Sequence, residues 1–320
     1  MVPFWWLRTA KVSKKLYHCK IFFKIMITNI PIGESELIIN PEGCVYHLNV
    51  HPSEIAPTII TVGDPGRVAT VSKYFDRIEH KKEHREFVTH TGYIGNKRLS
   101  VVSTGIGPDN IDIALNELDA LVNIDFNTRL PKTEHTSLEI VRMGTSGALQ
   151  HDIPVDSLVV STFGIGLDNL LHYYNYTENA EVSFLRNSFI QHTALERSAL
   201  QPYMVEGSIH LLNKFPTRAG YHHGITVTCP GFYAPQGRQL RLAPAFPHLI
   251  DALSTFENGS HRITNFEMET AAIYGLGKLL GHQCLSISTI VANRQSKTFS
   301  NDSNAAVEKM IQESLKLLCE

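Results

Sequence analysis

Ile59-Ile60-Thr61-Val62-Gly63-Asp64-Pro65-Gly66-Arg67 sets the architecture of this chain. The four-residue run Ile-Ile-Thr-Val reads as a strand covered on both faces, where no polar alternation is needed. Gly63-Asp64-Pro65-Gly66 is a turn, and the apolar spacing over residues 68–75 is helical. The unit recurs downstream. Leu99-Ser100-Val101-Val102-Ser103 is a second strand, turned by Gly105-Ile106-Gly107-Pro108 and followed by a helix with apolar Ile111, Ala114, Leu115, Leu118 and Leu121. Leu138-Glu139-Ile140-Val141 is a third strand, ended by Gly144-Thr145-Ser146-Gly147, and Ser157-Leu158-Val159-Val160 is a fourth. Gly224-Ile225-Thr226-Val227 and residues 285–291 add later strands. Residues 266–280, rich in Ala, Leu, Met and Glu, and residues 305–318 read as helices. Strands alternating with helices specify an α/β fold around a largely buried sheet. No Pro/Ser-rich linker and no internal repeat divides it, so residues 26–320 read as one domain, with residues 125–136 as a surface excursion.

The chain has 320 residues, of which 43% are hydrophobic, enough for a large core and against disorder. A formal charge of -2 argues against nucleic acid as a partner. Cys19, Cys44, Cys229, Cys284 and Cys319 form no CxxC pair, which fits a reducing cytoplasm and no structural metal. Phe4-Trp5-Trp6-Leu7 is apolar, but Arg8, Lys11, Lys14, Lys15, Lys20 and Lys24 break up the next seventeen or so positions, roughly five helical turns. No run suffices for a signal-peptide core or a membrane span, although a basic amphipathic surface segment stays open. Residues 1–25 read as a dispensable extension, with Met26 a natural start.

Three strands end in Gly-rich turns, where backbone amides can approach an anion. Arg67 and Arg142 accompany two of them, and Thr145 lies in the third turn. A planar guanidinium binds oxyanions bidentately, so these residues point to inorganic phosphate or a phosphoryl group. No turn carries the Gly-Lys-Ser/Thr ending of a nucleoside-triphosphate loop. Gly105-Ile106-Gly107 lacks the third glycine of the dinucleotide fingerprint. In Phe232-Tyr233-Ala234-Pro235-Gln236-Gly237-Arg238, an extended chain aims Gln236 and Arg238 the same way. An amide beside a guanidinium can read the O2–N3–O4 edge of uracil, with Phe232 against the ring; taken alone, the segment is equally a solvated loop. Glu267 and Glu269 open the helix of residues 266–280 beside apolar residues, and partly buried carboxylates need hydroxyl partners such as a ribose diol. Arg85, in His84-Arg85-Glu86-Phe87, and His47, in Val45-Tyr46-His47-Leu48, read by themselves as a solvated and a structural position.

Together and in order, from about residue 45 onward, these motifs resemble the nucleoside phosphorylase family (the phosphorylase superfamily), and within it the uridine phosphorylases. The resemblance implies a single-domain three-layer α/β/α sandwich with a mixed central sheet. It implies that Gly63, Arg67, Arg142 and Thr145 hold phosphate, joined by Arg85 from a neighbouring subunit. Met268, Glu269 and a neighbour's His47 would hold ribose. Phe232, Gln236, Arg238 and Glu267 would surround the base, with Arg294 supporting Arg238. A homodimer would be the smallest competent unit, with a hexamer as a common assembly. The implied reaction is phosphorolysis of uridine to uracil and ribose 1-phosphate, a step of pyrimidine salvage. Phosphate is a co-substrate and no cofactor or metal is expected. Some relatives bind potassium through a Glu, an Ile carbonyl and a Ser; Glu86 and Ile106 match, but Asn110 stands at the Ser position, so no ion is assigned. Ala234-Pro235 and the lengths of residues 122–136 and 172–220 also depart from the pattern.

Three rivals remain. Purine nucleoside phosphorylases carry an Asp after the late strand, where this chain has Ala292-Asn293-Arg294. A hydrolytic nucleosidase of the same fold has no use for three arginines around an anion. A non-catalytic nucleoside-binding protein has no use for the full set of Arg67, Arg142, Gln236, Arg238 and Glu269.

Overall fold

The computed structural model describes residues 30–217 and 220–320, so the extension of residues 1–25 lies outside the described residues. β1 (Thr58–Val62) leads into α1 (Pro65–Ser72), and Asp64 caps α1 by accepting the Gly66 N–H at 2.9 Å. An antiparallel run comes next: β2 (Arg77–His84), β3 (Phe87–Ile94) and β4 (Lys97–Ser103). α2 (Pro108–Asn123) and a small hairpin, β5 (Ile124–Asp125) with β6 (Leu130–Pro131), precede β7 (Glu139–Ala148) and β8 (Leu158–Gly166). The next stretch holds α3 (Ala180–Thr193), β9 (Tyr203–Glu206), α4 (Ile209–Leu212) and β10 (Tyr221–Thr228). The chain closes with α5 (Leu249–Thr255), β11 (Glu257–Asn258), β12 (His261–Glu267), α6 (Thr270–Leu279), β13 (Gln283–Asn293), β14 (Thr298–Phe299) and α7 (Ser303–Cys319).

One mixed sheet runs β11-β12-β10-β8-β13-β7-β1-β4-β3-β2, and β12 also pairs with β7. That extra pairing, through Asn265–Ala148 and Phe266–Gly147, closes β7, β13, β8, β10 and β12 into a ring. Period-two alternation places the core on both faces of the sheet. Ile59 and Ile140 pack with α2 and α6, while Ile60, Val62, Val141 and Met143 pack with α1 and α7 on the other side. α3 and α5 cover β8, β10 and β12 through Phe189, Leu253, Ile225 and Ile263. The expected three-layer α/β/α arrangement with a mixed sheet is present, with the closed ring as an addition. Among the described residues no helix is long and apolar enough to cross a membrane.

Three local expectations need correction. Gly144 to Gly147 is not a turn but the second half of β7, where glycine answers crowding and not chain reversal. A Cβ on Gly144 would overlap the Arg142 guanidinium. The helix expected from residue 266 begins at Thr270, because Ile263 and Phe266 are claimed by core packing and by pairing of β12 with β10 and β7. His84 to Phe87 is the β2–β3 hairpin, with Arg85 in the left-handed region at φ 56°.

Candidate active site

The cleft of about 750 Å³ is built by the ends of β1, β4, β7, β12 and β13 and the loop after β10. Its size suits a small-molecule ligand. Ten of the thirteen expected site residues line it: Gly63, Arg67, Arg142 and Thr145; Met268, Glu267 and Glu269; Phe232, Gln236 and Arg238. His47, Arg85 and Arg294 do not.

Arg142 is the buried centre. Its guanidinium donates to Glu269, lies 3.3 Å from a Glu267 oxygen, and reaches Ser288 Oγ at 3.5 Å. Burial pulls its pKa down, but the two carboxylates together raise it above the ordinary arginine value. Glu269 moves up as well: burial is the main cause, and Glu267 adds like charge against the lowering effect of Arg142. The two directions are compatible because one cation serves two anions. Arg67, half-buried, has its pKa lowered by burial and by the nearby Arg142 charge. Two such guanidinium groups set close together define a place that favours an oxyanion.

Glu269 stands at the N-cap position of α6 and also accepts the Gly107 N–H at 2.9 Å, tying the turn after β4 to the cleft. Glu267 has a task the sequence did not reveal. It accepts from Thr228 Oγ1 at 2.7 Å, from the Glu269 N–H at 2.8 Å and from the Thr270 N–H at 2.9 Å, and so holds the first turn of α6.

The extended geometry expected for Gln236 and Arg238 is wrong, although the two side chains do meet. Residues 234–236 form a 3-10 turn and Gly237 is left-handed at φ 65°, which no side chain tolerates easily there. Arg238 donates to Gln236 Oε1 at 2.6 Å and to the Phe232 carbonyl at 2.7 Å, and stacks 3.8 Å from the Phe232 ring centroid. A guanidinium only donates, so the amide oxygen must face it, leaving the Gln236 NH2 and the other Arg238 N–H groups for a ligand. Arg294 and Arg238 share no hydrogen bond, since a guanidinium only donates. Arg294 donates to the Gln236 carbonyl at 3.0 Å and so holds the loop. Burial and the Arg294 charge lower the pKa of Arg238. Phe266, missed as a site residue because its run read as helix, lies 5.8 Å from both guanidinium groups.

Arg85 and His47 form a separate surface group. Arg85 is exposed and reaches the Tyr46 hydroxyl at 3.4 Å; His84 Nδ1 is 3.1 Å from the His47 carbonyl. Asp119, His135 and His282 are the described residues whose donor atoms converge as a metal set would. The Leu138 N–H points into His282 Nδ1, so the proton of that ring sits on Nε2, which faces Asp119 at 3.3 Å. That is an imidazole–carboxylate pair and not a free ligand set.

The phosphorylase superfamily model matches residues 57–320. A nucleoside phosphorylase of Trypanosoma brucei, its structure described as showing uridine phosphorylase activity, superposes with a TM-score of 0.81 at 30% identity, covering 88% of this chain and 99% of that one. The uridine phosphorylase of Thermococcus kodakarensis is 29% identical over 283 residues, 87% of this chain and 88% of its own. A DeoD-type purine nucleoside phosphorylase of Buchnera aphidicola is 23% identical over 84% of this chain and 97% of its own. With its fold, its cleft and the span of that match, the chain belongs to the phosphorylase superfamily.

Proposed function

We propose that the protein catalyses phosphorolysis of uridine, giving uracil and ribose 1-phosphate. One observation carries this reading: a single cleft gathers an arginine pair, two carboxylates and an amide–guanidinium pair. Each matches one part of the reaction. Arg67 and Arg142, with Gly63 and Thr145, hold phosphate as the nucleophile. Glu269 and Met268 hold the ribose, and Glu267 acts by fixing Glu269 and the start of α6. Gln236 and Arg238 take the base, with Phe232 against its ring and Arg294 behind the loop.

No enzyme nucleophile is needed, because a phosphate oxygen attacks C1′ while the C1′–N1 bond breaks. Fixing phosphate and sugar in line supplies much of the rate gain. The bonding electrons leave with uracil, whose growing negative charge meets the donors of Arg238 and Gln236. The second lone pair of Gln236 Oε1 serves the N3–H of the ring. The absence of an acid in Ala292-Asn293-Arg294 supports a pyrimidine over a purine.

Arg85 is exposed, His47 is partly so, and neither lines the cleft of its own chain. In this reading they complete the cleft of a second copy, which makes a homodimer the smallest active unit and allows a hexamer. The reaction needs phosphate as co-substrate, neither cofactor nor metal, and belongs to pyrimidine salvage in the cytoplasm. Incubation with uridine and phosphate is expected to yield ribose 1-phosphate and uracil in equal amounts. Free ribose in place of the phosphate ester would make the protein a hydrolase. A mixture of inactive Arg67→Ala and Arg85→Ala chains tests the shared site. Re-associated chains regain activity if the site is shared, and stay inactive if each chain works alone.

A further inference from the structure

Thr228 is the last residue of β10, and the loop that carries Phe232, Gln236 and Arg238 follows it. It lies opposite Glu267 in the register of β10 with β12, and both are buried. Thr228 itself does not line the cleft. Its hydroxyl makes two bonds whose direction is fixed. Oγ1 accepts the Ala271 N–H at 2.8 Å. An N–H only donates, so the hydroxyl proton goes the other way, to Glu267 Oε1 at 2.7 Å. The Glu267 carboxylate thus serves three consecutive N–H groups at the start of α6. Those of Glu269 and Thr270 reach it directly at 2.8 and 2.9 Å, and that of Ala271 reaches it through Thr228. The Cys229 N–H donates to the Glu267 carbonyl at 2.8 Å, so the loop and the helix are anchored on one pair of residues. Burial in this sheet does not by itself demand such bonds. Thr61, Thr89 and Thr289 are buried too, and their hydroxyls have no hydrogen-bond partner among the described residues.

We infer that Thr228 is a positioning residue: its hydroxyl, acting through Glu267, holds Glu269 where that carboxylate meets the sugar hydroxyls, and so sets how strongly a ribonucleoside is preferred to a 2′-deoxyribonucleoside. The inference rests on the function proposed above, in which Glu269 holds the ribose. Without the Thr228 hydroxyl, Glu267 loses a donor and the Ala271 N–H loses its acceptor. Both are buried, so the loss is not made good by solvent. The first turn of α6 then loosens, and Glu269 at its N-cap moves with it. The displacement weakens every contact that Glu269 makes to the sugar. 2′-Deoxyuridine offers it one hydroxyl fewer than uridine and therefore loses less.

The test measures kcat/KM for uridine and 2′-deoxyuridine in the full-length protein. Thr228→Val, which keeps the shape and deletes the hydroxyl, is expected to lower the value for uridine by about tenfold or more, the size of a lost hydrogen bond to a charged group. The loss on 2′-deoxyuridine is expected to be several-fold smaller, so the preference for uridine shrinks. Thr228→Ser is expected to restore both values. In a Glu267→Gln background, Thr228→Val is expected to cost little more, because the two residues act as one unit. Should Thr228→Val fail to fold, Thr228→Cys must show a smaller loss with the same bias towards uridine, since a thiol is a weak donor and a weak acceptor. Equal losses on the two nucleosides would reduce Thr228 to a structural role. A serine variant as impaired as the valine variant, or a full further loss in the Glu267→Gln background, would overturn the path through the hydroxyl and Glu267. No uracil release by wild type from either nucleoside would overturn the function proposed above, and this inference with it.

Discussion

Arg142 on β7 and Glu269 at the start of α6, 127 positions apart in the chain, form a buried ion pair in the cleft. Glu267 makes the pair a triad with one positive and two negative members. Replacing Arg142 with Leu leaves two like charges buried without a cation. Removal of one partner from such a site costs about 3–5 kcal/mol. Urea unfolding of Arg142→Leu at neutral pH is expected to show a loss of that size together with loss of turnover. A variant as stable as wild type would mean that the triad is not charged as described.

The same geometry sets a pH dependence. Burial raises the folded-state pKa of Glu269 above its ordinary value of 4.5. The folded protein therefore holds this proton more tightly than the unfolded chain. The stability so gained is fully present below the ordinary value and is lost as pH rises through the raised one. Glu269→Gln removes that titration. Its unfolding free energy is expected to lose the part of the decline above pH 4.5 that wild type shows, measured by denaturant titration across pH 4 to 8. Parallel profiles for the two proteins would contradict the assignment.

Arg238 sits half-buried on a loop, so its loss should spare the fold. Arg238→Ala is expected to lower turnover by about 10²–10³, the usual cost of removing a donor from developing negative charge. Near-normal turnover with uridine would reject its role at the departing base.

Gly144 offers a test of geometry without touching a charged group. A Cβ at that position collides with the Arg142 guanidinium. Gly144→Ala is expected to displace Arg142 and weaken phosphate binding far more than uridine binding, as read from the two KM values. Equal effects on both substrates would place Arg142 elsewhere in the reaction.

These residues also show what the sequence could and could not disclose. β1, the Gly63 turn and α1 were legible because a short apolar run, a Gly/Pro turn and helical spacing agree with one another. The Arg142–Glu269 pair was not legible as a contact, since the closed ring of strands brings together positions far apart in the chain. Gly144 was misread because glycine signals chain reversal and close approach alike. Phe266 was taken for helix because Glu267, Met268 and Glu269 favour helix and lead straight into the Ala- and Leu-rich run after Thr270, while strand pairing with Gly147 decides its state. β2 was missed because it is a sheet-edge strand of charged, largely exposed residues without the apolar signal of an inner strand.

Uracil release from uridine, measured with and without inorganic phosphate and beside inosine, tests the central claim most directly. The account predicts release that is saturable in phosphate, absent without it, and strongly favoured for uridine. Phosphate-independent release, or cleavage of inosine alone, would contradict it.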